Sequence, residues 1–262
     1  MMKLCIPSYR RANCILTVDY LAYLGYGKDE IMLYTQDEED YEKYQKIYSD
    51  RCTVCYKKAD NVAQNRNNIL SDLLGKEEYV VFLDDDIYAI NRLEMMGGKK
   101  YMVPITDRQV LDRYIDLGYS LCKQHNTILW SVYPIPDPFF LMYNYSEVSL
   151  INGKFFGLIN NGTVMFNDFF QLYEDVELSC IVLKKYGKVI RINSIAIGSP
   201  EFLRGGRSEV RNNVQVKRAY MNLLLTKHRD ILMPHRRKMY DVELKTHAIE
   251  KYLGKLDKSE VI

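Results

Sequence analysis

The chain has 262 residues, a formal net charge of +2 and 47% hydrophobic residues. That composition excludes a disordered acidic or basic polymer and fits a chain long enough to bury a substantial core. No apolar run reaches the roughly 18 residues that span a bilayer, and Met1-Met2-Lys3-Leu4-Cys5-Ile6-Pro7 turns polar too early for a secretory signal. Of the six cysteines, Cys52-Thr53-Val54-Cys55 is a lone CxxC in a β-branched run. The expectation is reduced thiols in a cytoplasmic protein.

In chain order, Lys3 to Ser8 reads as a short buried strand, and a helix follows from about Asn13 to Leu24, stopped by Gly25 and Gly27. Ile31 to Tyr34 and Cys52 to Tyr56 read as strands on either side of a charged helix, Glu38 to Tyr48. Asn61 to Leu74 forms a helix with Val62, Ile69, Leu70, Leu73 and Leu74 broadly on one face. Tyr79 to Leu83 is continuously apolar, as a strand buried on both faces is. This alternation predicts a mostly parallel central sheet flanked by helices. Ligands in such sheets lie beyond the carboxyl ends of the strands, where Ser8-Tyr9-Arg10-Arg11, Thr35-Gln36-Asp37 and Asp84-Asp85-Asp86 would meet.

The second half reads as a helix over Thr106 to Gln124 and a strand over Ile128 to Tyr133. Two strands, Phe155 to Asn161 and Thr163 to Phe166, would follow as a hairpin about Asn161-Gly162. Then come a helix over Phe170 to Lys185, a strand over Val189 to Ile197, a helix over Val210 to Thr226, and a basic tail that turns helical. With no repeat or low-complexity linker, the whole chain, 1–262, is expected to form one domain. Residues 1–100 would bind the donor. Residues 101–262 would form a C-terminal acceptor-side lobe with the basic helical tail.

Three adjacent carboxylates, Asp84, Asp85 and Asp86, repel one another unless a cation or hydrogen-bond donors offset them. In extended chain Asp84 and Asp86 share a side. At the mouth of a buried strand they make a hard-cation site for Mn²⁺ or Mg²⁺, completed by the phosphates of a nucleotide. A solvated turn is the alternative.

Four segments resemble those of GT-A glycosyltransferases, in the same order. They are Ile6-Pro7-Ser8-Tyr9-Arg10-Arg11, Asn65-Arg66-Asn67, Asp84-Asp85-Asp86 in place of a DxD element, and Tyr173-Glu174-Asp175-Val176-Glu177-Leu178 in place of an acceptor-side "ED" element. Asn65 stands where the family has alanine. A narrower similarity is to the TET/JBP-associated glycosyltransferases of phages, carried by the IPSYRR start, the DDDI run and a basic Gly205-Gly206-Arg207-Ser208 segment.

The resemblance implies a nucleotide-sugar donor, a UDP-sugar by preference, held by Pro7, Ser8, Tyr9 and Arg10. Asp37 would meet the base, Arg66 the sugar or diphosphate, Asp84 and Asp85 the ribose or sugar, and Asp86 the metal, with Asp84 beside it. By residue type alone, His228 is a candidate third ligand. His235 is a second candidate for that third ligand. Asp175, or failing it Glu174, would take the acceptor proton, although carboxylates at a helix start also serve as caps. Arg207 could close over the diphosphate, and Trp130 could wall the acceptor.

The narrower resemblance implies a hydroxymethylated pyrimidine of DNA as acceptor, and hence the host cytoplasm for a phage protein. The basic run from Arg204 to Lys238 would then contact phosphates. Other readings are a GT-A enzyme acting on a glycan or small hydroxyl acceptor, and a metal-dependent nuclease or nucleotidyltransferase on the same acids.

Overall fold

The computed structural model describes residues 2–76, 78–200, 210 and 212–245. The first half alternates as expected: β1 (Lys3–Ser8), α1 (Leu16–Tyr23), β2 (Ile31–Thr35), α2 (Glu38–Tyr48), β3 (Thr53–Tyr56), α3 (Val62–Leu73) and β4 (Tyr79–Leu83). Two of these helices begin on caps written in the sequence. Asp37 accepts from the Asp40 amide and Asn61 from the Gln64 amide, each satisfying a donor that a helix start leaves unpaired.

Next come β5 (Ala89–Met96), β6 (Lys99–Pro104), α4 (Arg108–Gln124), β7 (Leu129–Tyr133), β8 (Tyr145–Ser146), β9 (Phe155–Ile159), α5 (Glu174–Tyr186) and β10 (Ile190–Gly198). The chain continues through α6 (Val214–Lys227), β11 (Leu232–Pro234) and β12 (Val242–Leu244).

One sheet runs through both halves in the order β3-β2-β1-β4-β9-β7-β10-β5-β6, with β8 paired to β10. β3, β2, β1, β4, β7, β10 and β6 point one way, and β9 and β5 run against them. The sheet is therefore mixed, with an unbroken parallel block over β3-β2-β1-β4. That block puts the carboxyl ends of β1 and β4 side by side, because Lys3, Leu4 and Cys5 pair with Val80, Val81 and Phe82.

Two apolar layers cover the sheet. One gathers Leu4, Ile6, Val18, Leu21, Ile115 and Trp130; the other gathers Cys5, Ile69, Leu70, Phe82, Phe156 and Leu178. Trp130 is fully buried and not an acceptor wall. Its indole lies where a side chain on Gly118 of α4 or on Gly157 of β9 would otherwise stand.

Two expectations are corrected. Residues 163–166 form no strand, so there is no hairpin about Asn161-Gly162, although Gly162 does turn with φ +74°. Both edges of β9 are already taken, by β4 and by β7. The backbone of Phe166 is met instead by the Asn67 side chain: Asn67 Nδ2 donates to its carbonyl at 2.9 Å and Asn67 Oδ1 accepts its N–H at 2.8 Å. Second, β5 and β6 form an antiparallel hairpin where no element was expected. Its turn is Gly97-Gly98, both at positive φ, as a tight two-residue hairpin turn requires. The described start of the basic tail forms the β11–β12 hairpin, and the helix expected after it falls on residues 246–262, which lie outside the described residues.

Candidate active site

A cleft of about 500 Å³ opens beyond the carboxyl ends of β1 and β4. Pro7, Ser8, Tyr9 and Arg11 come from β1 and its exit, Arg66 from α3, and Asp84, Asp85 and Asp86 from the exit of β4. The far wall is Asn152, Gly153 and Lys154, the segment 171–175, Lys217, and residues 238–241. Of the expected site residues, Pro7, Ser8, Tyr9, Arg66, Asp84, Asp85, Asp86, Glu174 and Asp175 are brought together here.

The acid run leaves β4 as a turn pinned by Thr17 of α1. Its hydroxyl donates to the Asp84 carbonyl and accepts the Ile87 N–H at 2.9 Å. Because the chain turns, the side-chain alternation expected of an extended strand does not hold. Asp84 Oδ1 lies 3.1 Å from Arg66 Nη2. Asp85 accepts from Ser8 Oγ at 2.6 Å and from Arg11 Nη1. Asp86 Oδ2 lies 3.4 Å from the same Arg11 nitrogen, while its Oδ1 is buried without a hydrogen-bond partner. Burial pushes the Asp85 carboxyl up to about 7, against the lowering effect of Arg11 and the Ser8 hydrogen bond.

Arg66 is 2% exposed and rests against the rings of Phe156 and Phe166. Its Nη1 donates to Glu174 Oε1 at 2.8 Å, and its Nη2 donates to the Gly153 carbonyl at 2.7 Å. Burial, and then the neighbouring Asp175, raise the Glu174 carboxyl above its ordinary range, with Arg66 opposing. Asp175 accepts the Gly153 N–H at 2.7 Å and the Val176 N–H at 2.8 Å. Gly153 is thus gripped on both sides, and a β-carbon there would stand 3.1 Å from the Arg66 guanidinium and 3.2 Å from Asp175.

The residue before these acids, Tyr173, adopts left-handed backbone (φ 63°, ψ 22°) with no side-chain cap. That conformation is costly for a ring-bearing residue. It points α5 at the cleft, and the Tyr173 hydroxyl donates to the Tyr240 carbonyl at 2.5 Å, tying the β11–β12 connection to the same wall.

Four expected residues, Asp37, Arg10, His228 and His235, stand elsewhere. Asp37 is spent capping α2, and Arg10 (φ 53°) turns away with its guanidinium over the Tyr9 ring; both line a separate groove beside α2. His228 caps the end of α6 and is buried 3.6 Å from Glu177, outside the cleft lining, so it does not join the acid run as a metal ligand. Arg207 lies outside the described residues. His235 also stays out of the cleft: its Nδ1 accepts the N–H groups of Arg237 and Lys238 within its own turn.

Among the described residues no group of three or more His, Cys, Asp or Glu side chains is gathered for a metal. The residues that the sequence reading did not assign are Arg11, Thr17, Gly153 and Lys154. Only Arg11 carried a signal, its place in the IPSYRR run.

No protein-family model and no curated protein matches the chain. Solved structures do. Glucosyl-3-phosphoglycerate synthase from Mycobacterium tuberculosis, in complex with Mn²⁺, uridine diphosphate and phosphoglyceric acid, superposes with a TM-score of 0.54 at 10% identity. That match covers 93% of this chain and 86% of that one. A second structure of the M. tuberculosis synthase gives 0.51 at 10% identity, over 93% and 86% of the two chains. TarS residues 1–349 from S. aureus, in complex with UDP, gives 0.48 at 14% identity over 86% of this chain, which spans 65% of that one. The class that the sheet order and the synthase superposition define is the GT-A type of α/β fold, with helices on both faces of a central sheet.

Proposed function

We propose that the protein is a divalent-metal-dependent glycosyltransferase that moves a sugar from a nucleotide sugar, a UDP-sugar by preference, to a hydroxymethylated pyrimidine of DNA. The observation that carries the transferase reading is the Asp86 oxygen, buried and unpartnered at the mouth of the cleft. Buried carboxylate oxygens are otherwise paired, and an orphaned one fits a ligand of the site. Mg²⁺ and Mn²⁺ suit this donor set, since such ions take one or two carboxylates and fill their remaining positions with phosphates and water. Asp86, with Asp84 beside it, would hold the ion, which supplies Lewis-acid stabilisation of charge on the departing diphosphate.

The chain's own residues do the rest. Pro7, Ser8 and Tyr9 line the nucleotide side, and Arg66 fixes Asp84 and Glu174 relative to one another. The bond from the anomeric carbon to the phosphate oxygen breaks as the acceptor oxygen bonds to that carbon. The acceptor proton passes to Asp175, which is more open to the cleft than Glu174 and is held by two backbone amides.

The DNA reading is supported by cation placement. Lys217 and Lys238 line the cleft, and Arg218, Arg236 and Arg237 flank them in sequence. Such groups meet phosphates, with salt-dependent affinity, and the target base would have to leave the stack to reach Asp175.

The test is nucleotide release from UDP-sugars with Mn²⁺ or Mg²⁺, with duplex DNA that carries or lacks hydroxymethylcytosine. UDP release only with the modified DNA, with the sugar mass found on the base, is the expected result. Release indifferent to DNA would move the acceptor to glycans or small hydroxyl compounds. Absence of any turnover would overturn the transferase reading.

A further inference from the structure

Arg11 lines the cleft, yet the reaction above gives it no task. It is held in place from both ends. Its backbone N–H donates to Tyr44 Oη at 2.9 Å, Tyr44 Oη shares a 3.0 Å hydrogen bond with Ser8 Oγ, and Ser8 Oγ donates to Asp85 at 2.6 Å. Its guanidinium, 10% exposed, reaches both Asp85 and Asp86.

Arg66 does the same for Asp84. Before any ligand arrives, Asp85 and Asp86 therefore face Arg11, and Asp84 faces Arg66, which it shares with Glu174; a guanidinium does not deprotonate in proteins. The affinity of an oxygen-ligand site for a hard cation follows its ligand charge. An acid run that reads in sequence as an open divalent site is, in the fold, already partly compensated. One Asp86 oxygen is taken up toward Arg11, and only the other is left over.

We infer that Arg11 suppresses binding of a bare divalent cation, so that the cleft retains the metal only together with a nucleoside diphosphate. The inference rests on the metal-dependent transferase reading above. The diphosphate brings negative charge that outweighs the repulsion between Arg11 and the ion, and once it departs the ion loses its hold as well. A purely structural ion pair between Arg11 and Asp85 would have no such effect on metal binding.

The experiment reads Mn²⁺ binding directly, by electron paramagnetic resonance of the free ion, without acceptor or turnover. Wild type, Arg11→Gln and Arg11→Lys are titrated with Mn²⁺ in the presence and absence of UDP. Wild type is expected to bind Mn²⁺ at least tenfold more tightly with UDP than without. Arg11→Gln should bind Mn²⁺ alone about tenfold more tightly than wild type, the size of one nearby unit charge in a half-solvated site, and should lose most of the UDP dependence. Arg11→Lys should stay near wild type. If Arg11→Gln does not fold, as judged by circular dichroism, Arg11→Met keeps the aliphatic stem and repeats the test. Unchanged or weaker binding of Mn²⁺ alone in the neutral variant overturns the role of Arg11 while leaving the transferase reading standing. Failure of wild type to bind Mn²⁺ even with UDP overturns both.

Discussion

Arg66 Nη1 lies 2.8 Å from Glu174 Oε1, joining a helix of the first half to the first residue of α5 across 108 positions of sequence. The same guanidinium reaches Asp84, so one buried cation fixes the acid run of β4 relative to the acids that open α5. Removing one partner of such a buried pair strands the other. Arg66→Met should destabilise the protein by about 3–5 kcal/mol in urea unfolding. The double variant Arg66→Met/Glu174→Gln should recover part of that loss, because the stranded charge is gone. A double variant no more stable than Arg66→Met alone would show that the two residues are not coupled.

Asp86→Asn is nearly isosteric and keeps an acceptor oxygen, while removing the charge that the proposed ion needs. Metal-dependent UDP binding should fall at least tenfold by calorimetry, with the melting temperature within a few degrees of wild type. Unaltered metal-dependent binding would remove Asp86 from the ligand set.

The parallel block and the residues at its mouth were legible from sequence because each rests on a local signal. The apolar run Tyr79 to Leu83 breaks into acids, and α2 and α3 start on side-chain caps. What escaped was set by distant partners. Whether residues 163–166 form a strand depended on whether β9 had a free edge, and β4 and β7 had taken both. Asp37 is the local exception: the carboxylate expected to contact the base caps its own helix, three residues away. His228 looked like a ligand by residue type alone, and the turn that ends α6 buries it against Glu177. Gly153 carries no sequence signal, since its role comes from what crowds it.

Trp130, the single tryptophan of the chain, is closed in by Gly118 and Gly157 on neighbouring elements. A methyl group on Gly157 would fall within the indole ring, and a dense core cannot shift to make room. Gly157→Ala should cost roughly 1–3 kcal/mol or more by overpacking, read by chemical denaturation, and should alter Trp130 fluorescence in the native state. A variant as stable as wild type would mean that this contact can relax.

Asp85 and Glu174 set the sign of the pH dependence. Burial raises the Asp85 carboxyl to about 7, and it raises Glu174 as well, whereas carboxylates in the unfolded chain titrate near 4. Between about pH 4 and 7 the folded chain therefore holds protons that the unfolded chain has released, and stability falls as pH rises through that window. The acids held below their ordinary range, such as Glu30 and Glu177, act in the opposite sense but only at lower pH. The ligand-free protein should melt at a lower temperature at pH 8 than at pH 5, and Asp85→Asn should flatten that slope. A melting temperature that rises from pH 5 to pH 8 would contradict the charge assignment of the cleft.

Asp175 and Glu174 are adjacent, both acidic and both in the cleft wall, and their surroundings assign them different work. Glu174 is bound to Arg66, which holds Asp84, so its loss should disturb the donor side. Asp175 is bound to backbone amides of Gly153 and Val176, and it connects to Arg66 and the acid run of β4 only through the Gly153–Lys154 backbone. Replacing a positioned base typically costs 10²–10⁴ in rate. Asp175→Asn should lower kcat within that range while leaving metal-dependent UDP binding close to wild type. Glu174→Gln should weaken UDP binding and lower stability together, with a smaller direct effect on the chemical step. Single-turnover rates and UDP calorimetry on the two variants separate these outcomes. If Glu174→Gln showed the pure kcat loss and Asp175→Asn the binding defect, the roles would be reversed, and Arg66 would then be the partner of the base.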